Sequence, residues 1–233
     1  MISSLSAGWT RLIGALGRLS MYRLVLLALS ALAVIALVLS FTGAVSVAPL
    51  DLVVSFAVLA ASIMVVDAVA QRIVRRPWRI ESALITALIL VFVLRPGIEP
   101  IALLGLALAG AIASASKYIL AWQGRHIFNP AAVGASALTI ISIWAPDLGF
   151  SAWWIGSPAM TVPVVLLGLA VLVRTEKVRV VGLFLVVAIA VGLVRTIVQA
   201  QEAGLALDPA MTFSSLVLSS PFLFLGAFML SEP

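Results

Sequence analysis

Cysteine is absent from this sequence, and it contains a single histidine, His126. Without thiolates the chain cannot ligate an iron–sulfur cluster, and one imidazole is too few for a bis-histidine haem or an ordinary zinc site. Disulfides are also excluded, so cysteine content says nothing about the compartment. No metal site is predicted, and any redox centre that this chain holds by itself must be organic.

Charged side chains are scarce as well. Only 10% of the 233 residues are charged and 64% are hydrophobic, which gives a mean hydropathy of +1.26. Soluble domains carry about 25% charged residues. This composition excludes a water-soluble globule and predicts a multi-pass membrane protein.

Eight apolar runs divide the chain. The first, residues 24–41, is about 27 Å long as a helix, close to the ~30 Å thickness of the hydrocarbon layer. Two runs, residues 83–94 and 130–144, are short for a full crossing. They fit helices that are tilted, extended by flanking residues or partly re-entrant. We therefore predict an all-α polytopic membrane protein with about eight transmembrane or re-entrant helices. The runs are residues 24–41, 52–70, 83–94, 101–119, 130–144, 153–173, 180–194 and 211–230.

Basic residues predict the orientation. If every run crosses the membrane, eleven of the 14 Lys and Arg residues fall on one side, together with both termini. By the positive-inside rule this side is cytoplasmic, in a bacterial-type inner (cell) membrane. The net charge of +5 is then a topology signal, and nucleic-acid binding is not expected. Residues 1–23 form a cytoplasmic leader, either an interfacial helix or a polar segment, and residues 24–233 form one transmembrane domain.

The densest polar cluster lies just before the fifth apolar run. Asn129 is predicted to be an N-cap, and Pro130 suits the first helical position because it has no N–H to leave unsatisfied. The following amides, on residues 131–133, are then expected to face an anion, with Arg125 and His126 beside them. An ordinary capped helix after a cytoplasmic arginine explains the same residues.

Polar residues within the apolar runs are the other candidates. Lys117 lies about one turn from the cytoplasmic end of its run, where it either snorkels to the interface, neutralises a reduced cofactor or pairs with Asp67. Thr86 either takes part in a site or donates to the preceding helical turn. Asp208 and the proline after it repeat the Asn129 start on the opposite face, a pattern that suits an inverted repeat.

Four stretches resemble a known family, the D subunit of the Rnf complex and the B subunit of the sodium-pumping NADH:quinone oxidoreductase. The most distinctive is Ile-Phe-Asn-Pro within residues 117–131, which also include Lys-Tyr and Gly-Arg-His. The others are a Thr-Ala-Leu segment at residues 81–90, Trp-Trp-Ile-Gly at 153–156 and Phe-Met-Leu-Ser-Glu-Pro at 228–233.

This resemblance implies a fold related to urea and ammonium transporters, with an inverted repeat. It also implies a membrane subunit that binds a flavin and passes electrons, coupled to sodium or proton movement. The expected partners are the flavin (FMN or riboflavin), redox domains or subunits on the cytoplasmic side, and the lipid bilayer. No residue is expected to make or break bonds. The expected flavin-binding residues are Thr86, Lys117, Trp122, Arg125, His126, Phe128, Asn129 and Pro130.

Two further points bear on what the resemblance implies, a missing motif and a domain that often follows. Family members with covalent FMN attach it to threonine in a Ser-Gly-Ala-Thr motif, which this sequence lacks, so any flavin is expected to be non-covalent. The resembling branch often continues into a ferredoxin-reductase-like unit that binds FAD. The sequence is therefore expected to be the membrane part of a longer NAD(P)H- or ferredoxin-linked oxidoreductase. There are two alternatives. The chain is then either a solute channel or transporter on the same scaffold, or a membrane anchor for a reductase.

Overall fold

The computed structural model describes residues 20–74, 80–122, 125–204, 208–218 and 221–230. The expected interfacial helix in the leader falls on residues 9–19, which lie outside the described residues, as do residues 231–233 of the last resembling stretch. Within the described residues the chain is predominantly helical. The helices are α1 (Met21–Phe41), α2 (Pro49–Val74), α3 (Ile80–Val93), α4 (Pro100–Ile119), α5 (Pro130–Ile141), α6 (Pro158–Thr175), α7 (Val178–Glu202), α8 (Pro209–Leu218) and α9 (Phe222–Phe224), the last continued by a π-helical turn (Leu225–Met229).

Proline is the first residue of five of these helices. It occupies the start of α2, α4, α5, α6 and α8. The first turn of a helix has no intrahelical acceptor for its N–H groups, so proline costs no hydrogen bond there, and its fixed φ suits the helix. Two short elements complete the described structure, a two-stranded antiparallel hairpin of β1 (Ala121–Trp122) and β2 (Arg125–His126), and a 3₁₀ turn at Pro146–Leu148.

All eight predicted apolar runs contain helix. Among the described residues, five helices, α1, α2, α4, α6 and α7, are long and apolar enough to cross a membrane. A sixth crossing results if α8 and α9 with its π-helical turn, bent by 44° at their break, form one span. The all-α, multi-pass membrane class is therefore supported, whereas eight crossings and an inverted repeat stay predictions.

The sixth run begins its helix later than predicted. Residues 153–156, expected to open the segment, are not helical, and α6 starts at Pro158. Trp153 has a φ of 48°, a left-handed conformation that no continuing helix permits. The Trp154 indole turns into the bundle, where its Nε1 donates to the Val91 carbonyl at 2.7 Å. This hydrogen bond satisfies the indole N–H in an apolar interior.

Helix α3 is the centre of the bundle. Ten of its 14 residues are buried, in agreement with a helix that is apolar on all sides. At about 21 Å it is shorter than the hydrocarbon layer. The chain continues from it as extended backbone, in which Leu94 pairs with Ser151, and the Val93 carbonyl accepts from the amides of Ala152 and Trp153 at 2.9 Å each. Non-helical backbone inside a membrane protein requires such internal partners.

Small residues bring the central helices close together. A Cβ atom at Gly134 of α5 would lie 2.5 Å from the Ala109 carbonyl oxygen and 2.8 Å from Ala113 Cβ, both on α4. Gly110 of α4 makes an equally close approach to Ser62 of α2. Close backbone approach through glycine and alanine is typical of membrane helices, whose association depends on van der Waals packing.

Helix α7 is at the periphery. Of its 25 residues only Val181 and Ala200 are buried, although the helix is strongly apolar. Most of its valine side chains are exposed, from Val178 to Val198. In a membrane protein such a surface faces lipid, so α7 lies at the edge of the bundle.

Candidate functional site

Asn129 caps α5, as the sequence predicts. Its Oδ1 accepts hydrogen bonds from the amides of Ala131 at 2.9 Å and Ala132 at 3.2 Å. Its Nδ2 donates to the Met229 carbonyl at 3.2 Å, in the π-helical turn 100 residues away. The side chain therefore both starts the helix and ties it to the last described element.

The expectation that the first amides of α5 are open to an anion is wrong. The amides of Ala131 and Ala132 are taken by the Asn129 side chain. The amide of Val133 donates to the Asn129 carbonyl at 3.1 Å, which is an ordinary helical bond. A helix N-terminus binds an anion through unsatisfied N–H groups, and all three of these are satisfied internally.

Lys117 points into the bundle rather than to the interface. Its Nζ lies 3.8 Å from Asp67 Oδ2, and 3.4 Å from both the carbonyl and the hydroxyl oxygen of Ser82. The Lys117 side chain is 10% exposed and the Asp67 side chain 2%. The pairing of Lys117 with Asp67, one of the sequence alternatives, is the one observed, and it links α2, α3 and α4.

Asp67 is the centre of a larger hydrogen-bonded group. Its Oδ1 accepts from Ser114 Oγ at 2.8 Å and from the Tyr118 hydroxyl at 3.0 Å. Gln71 Nε2 donates to the same hydroxyl at 3.1 Å. We call these residues, with Ser82 and Lys117, the buried polar network. Ionisable groups inside a membrane domain are costly and generally functional. The network is formed by Asp67, Gln71, Ser82, Ser114, Lys117 and Tyr118.

Four members of this network, Gln71, Ser82, Ser114 and Tyr118, were not predicted from the sequence. A positional signal was present, because Gln71 is four residues after Asp67, and Lys117 and Tyr118 are three and four residues after Ser114. Residues three or four apart share one face of a helix. A polar face on α4 opposite a polar face on α2 is therefore readable once the two helices are known to be neighbours.

Thr86 lies in the core next to the network. It is buried, and its Oγ1 donates to the Ser82 carbonyl at 2.9 Å. This is the bond to the preceding turn that the sequence offered as the simpler explanation. The Ser82 carbonyl thus receives Thr86 Oγ1 and lies within 3.4 Å of the Lys117 ammonium.

The aromatic candidates occupy a different environment. Trp122 in the hairpin is 71% exposed and Phe128 is 59% exposed. Arg125 and His126 form β2, in which Arg125 pairs with Trp122 and His126 with Ala121. Residues 123–124 at the tip lie outside the described part of the chain. The predicted site residues therefore lie in two environments, since Thr86 and Lys117 are inside the bundle whereas Trp122 and Phe128 are exposed.

Three of the four resembling stretches meet at one end of the bundle, which we call the basic end. The Lys117 bond to Ser82 joins the stretch 117–131 to the stretch 81–90, and the Asn129 bond to Met229 joins it to the stretch from 228. The Ile127 amide donates to the Leu120 carbonyl at 3.0 Å, across the connection between α4 and α5. The fourth stretch, 153–156, lies at the far end of α3, against Val91.

Elsewhere, a small apolar cleft lies between α6, α8 and α9. Its volume is about 10 Å³, far below the ~300–1,000 Å³ of ordinary ligand pockets. No group of three or more His, Cys, Asp or Glu side chains suited to a metal ion occurs in the described ranges. The cleft is lined by Ile155, Gly156, Thr161, Val164, Leu218, Leu223 and Phe224.

In comparisons with known proteins, no family model, no curated protein and no solved structure matches the chain.

Proposed function

We propose that the chain is a membrane electron-transfer subunit or domain of a flavin-dependent oxidoreductase, similar to the D subunit of Rnf and the B subunit of the sodium-pumping NADH:quinone oxidoreductase. The observation that carries this proposal is the meeting of three resembling stretches at the basic end. Stretches that lie up to 100 residues apart are joined there by the Lys117–Ser82 and Asn129–Met229 bonds. Motifs that share one site are expected to converge in this way.

The chemistry of the basic end fits a flavin in part. A flavin supplies one- and two-electron transfer, and it needs a stacking surface and polar edges rather than cysteine or histidine ligands. The exposed rings of Trp122 and Phe128 offer the stacking surface. The amides of α5 are already bonded, so riboflavin, which carries no phosphate, is the flavin that we expect.

The same proposal implies the orientation of the protein in the membrane and the side on which its redox partner binds. The basic end faces the cytoplasm of a bacterial-type cell, as the positive-inside rule requires, and meets the redox partner there. A reductase domain or subunit on that side would carry FAD. Electron transfer is coupled to sodium or proton movement through the bundle.

The test is a spectrum of the full-length protein, purified in detergent from cells that contain its natural partners. We expect a yellow protein whose flavin absorbance is bleached by dithionite and whose flavin is identified by mass analysis after extraction. Replacing both Trp122 and Phe128 with alanine should weaken flavin retention by about tenfold, because two stacking contacts are lost. Trp144→Ala removes an exposed indole after the opposite end of α5 and is the matched control.

The alternatives give other results. A colourless protein without extractable flavin, in the presence of its partners, contradicts the proposal. Solute flux through liposomes that contain this flavin-free protein would instead establish a channel or transporter. Electron transfer that is unchanged in the Trp122/Phe128 double variant would establish an anchor.

A further inference from the structure

We propose that the turn between α6 and α7 binds the headgroup of an anionic phospholipid, whose acyl chains lie on the exposed apolar face of α7 next to it. We call residues 174–179, which form this turn, the α6–α7 corner. The inference does not depend on flavin binding or on the buried polar network, and its test contains no redox readout.

The corner is a tight turn at the basic end of the bundle. Only Glu176 and Lys177 separate the last residue of α6 from the first residue of α7. Glu176 has a left-handed conformation, with a φ of 58°, and its amide donates to the Val173 carbonyl at 3.4 Å. A left-handed residue with such a bond is a common way to end a helix. The turn therefore keeps the side chains of residues 174–179 at one end of both helices.

The corner is positively charged. Its three basic residues, Arg174, Lys177 and Arg179, and its single acid, Glu176, give a net charge of +2. Arg179 is exposed, and its side chain forms no hydrogen bond or ion pair with the part of the chain that the structure describes. A guanidinium group presents five donors in a plane and binds phosphate oxygens in pairs. Arg179 is therefore placed to bind a phosphate from outside the bundle.

An exposed apolar face of α7 begins directly at Arg179. Leu183 and Val186 follow Arg179 by four and seven residues, so the three side chains share one face of the helix. Leu183 is 67% exposed and Val186 is 66% exposed. Gly182 on the same face is open, since a Cβ there would meet nothing within 4 Å. The occupant of this face must therefore be anionic at one end and apolar along the rest, which describes a phospholipid and not free phosphate.

The charge of the headgroup decides which lipids bind. Each basic residue beside a membrane surface strengthens the attraction of an anionic lipid by about fivefold. A zwitterionic headgroup carries its own cation next to the phosphate, so its net attraction to the corner is much weaker. We therefore expect the corner to select anionic phospholipids, such as phosphatidylglycerol, over phosphatidylcholine.

The test is thermal unfolding of the full chain in detergent with added phosphatidylglycerol, together with native mass spectrometry of the bound lipid. Phosphatidylcholine with the same acyl chains, and inorganic phosphate at the same concentration, are the references. We expect phosphatidylglycerol at about ten times its Kd to raise the Tm by about 4 °C, and either reference by less than about 1 °C. The mass spectrum should show phosphatidylglycerol retained on the protein in preference to phosphatidylcholine.

Variants at Arg179 locate the site. Arg179→Gln should weaken the binding of phosphatidylglycerol by about fivefold, whereas Arg179→Lys keeps the charge and should retain most of the binding. Because the Arg179 side chain is exposed, neither variant should change the Tm without lipid. Arg195→Gln is the matched control. Arg195 is also exposed on α7, is the last basic residue of the sequence, and should be replaceable without effect on lipid binding.

Replacing Arg174, Lys177 and Arg179 together with glutamine should weaken binding by about a hundredfold. If this triple variant does not fold, the comparison of Arg179→Gln with Arg195→Gln decides. Equal stabilisation by the two lipids, equal stabilisation by inorganic phosphate, or an unchanged response of Arg179→Gln overturns the proposal. A dimer without retained lipid in the mass spectrum also overturns it, and would assign this face of α7 to a second copy of the chain.

Discussion

Asn129 and Asp208 both cap the N-terminus of a helix, but their surroundings differ. Each side chain accepts two amides of the helix that it starts, Asp208 Oδ1 those of Ala210 at 2.9 Å and Met211 at 3.3 Å. Asp208 is exposed, whereas Asn129 also donates to the Met229 carbonyl inside the bundle. An amide is required at position 129 because a carboxylate has no donor for that carbonyl.

We expect Asn129→Ala to lower stability by about 2 kcal/mol, about 1 kcal/mol for the cap and about 1 kcal/mol for the lost bond to Met229. Asp208→Ala, which removes a cap alone, should cost about 1 kcal/mol at most. Thermal unfolding of the purified chain, followed by circular dichroism, measures both. Equal losses in the two variants would show that the bond to Met229 contributes nothing.

The pairing of Lys117 with Asp67 makes a second prediction at this scale. Lys117→Gln should destabilise the protein by about 3–5 kcal/mol, because it leaves a buried carboxylate without its positive partner. The double variant with Asp67→Asn should recover most of this loss, since neither charge then remains. Additive losses in the two single variants, measured by the same unfolding assay, would mean that the two side chains do not interact.

At the scale of secondary-structure elements, α4 packs closely against two helices and the 3₁₀ turn. It packs against α2 through Gly110, against α5 through its contact with Gly134, and against the 3₁₀ turn through Gly105, where an added Cβ would strike the Leu148 backbone. Without a hydrophobic driving force between helices in lipid, such close contacts supply much of the association energy. The position of the network depends on them, since Ser114, Lys117 and Tyr118 all belong to α4.

Gly134→Val should therefore destabilise the protein by about 1–3 kcal/mol, because the Ala109 carbonyl is backbone and cannot move aside easily. Gly182→Val on α7 is the matched control. A Cβ there meets nothing within 4 Å, and the residue is exposed, so we expect a change within about 0.5 kcal/mol. The comparison needs only the two melting temperatures, and equal values would contradict the packing of α4 on α5.

At the scale of the whole molecule, the first and the last described segments of the chain lie at the same end of the bundle. Arg23 at the start of α1 lies 3.5 Å from Glu81 at the start of α3, and Lys177 donates to the carbonyl of Leu230. These contacts and the network are at the basic end. The apolar surfaces of the outer helices, above all α7, surround the bundle between its two ends.

The absence of cysteine makes this arrangement directly measurable. Thr42→Cys and Val178→Cys each introduce the one thiol of the chain, at exposed positions on opposite ends of the bundle. With a membrane-impermeant maleimide, Val178→Cys should react only in inside-out vesicles and Thr42→Cys only in right-side-out vesicles. Labelling of both from the same side would refute the proposed topology. Labelling with reversed sides would refute only the cytoplasmic assignment of the basic end.

Much of the helical layout was readable from local sequence. Each of the eight apolar runs contains helix, and the Asn129 cap lies where it was predicted. These features depend on residues that are close together in the chain, namely hydropathy over one helix length and the capping residue before a proline. Residues 153–156 are an exception: they are not helical, and Trp154 donates to the Val91 carbonyl 63 residues away, a contact that local sequence does not specify.

Tertiary structure alone decided which apolar helix is central and which polar groups meet. Helices α3 and α7 are both apolar on nearly all sides, so neither has a stripe that distinguishes core from lipid, yet α3 is enclosed and α7 exposed. Ser114 and Asp67 are 47 residues apart, and the α5 amides are satisfied within the protein rather than open to an anion. Composition and helical period determine that helices form in a membrane. Only the choice of neighbouring helices determines which side chains are paired, because pairing depends on distances across the bundle.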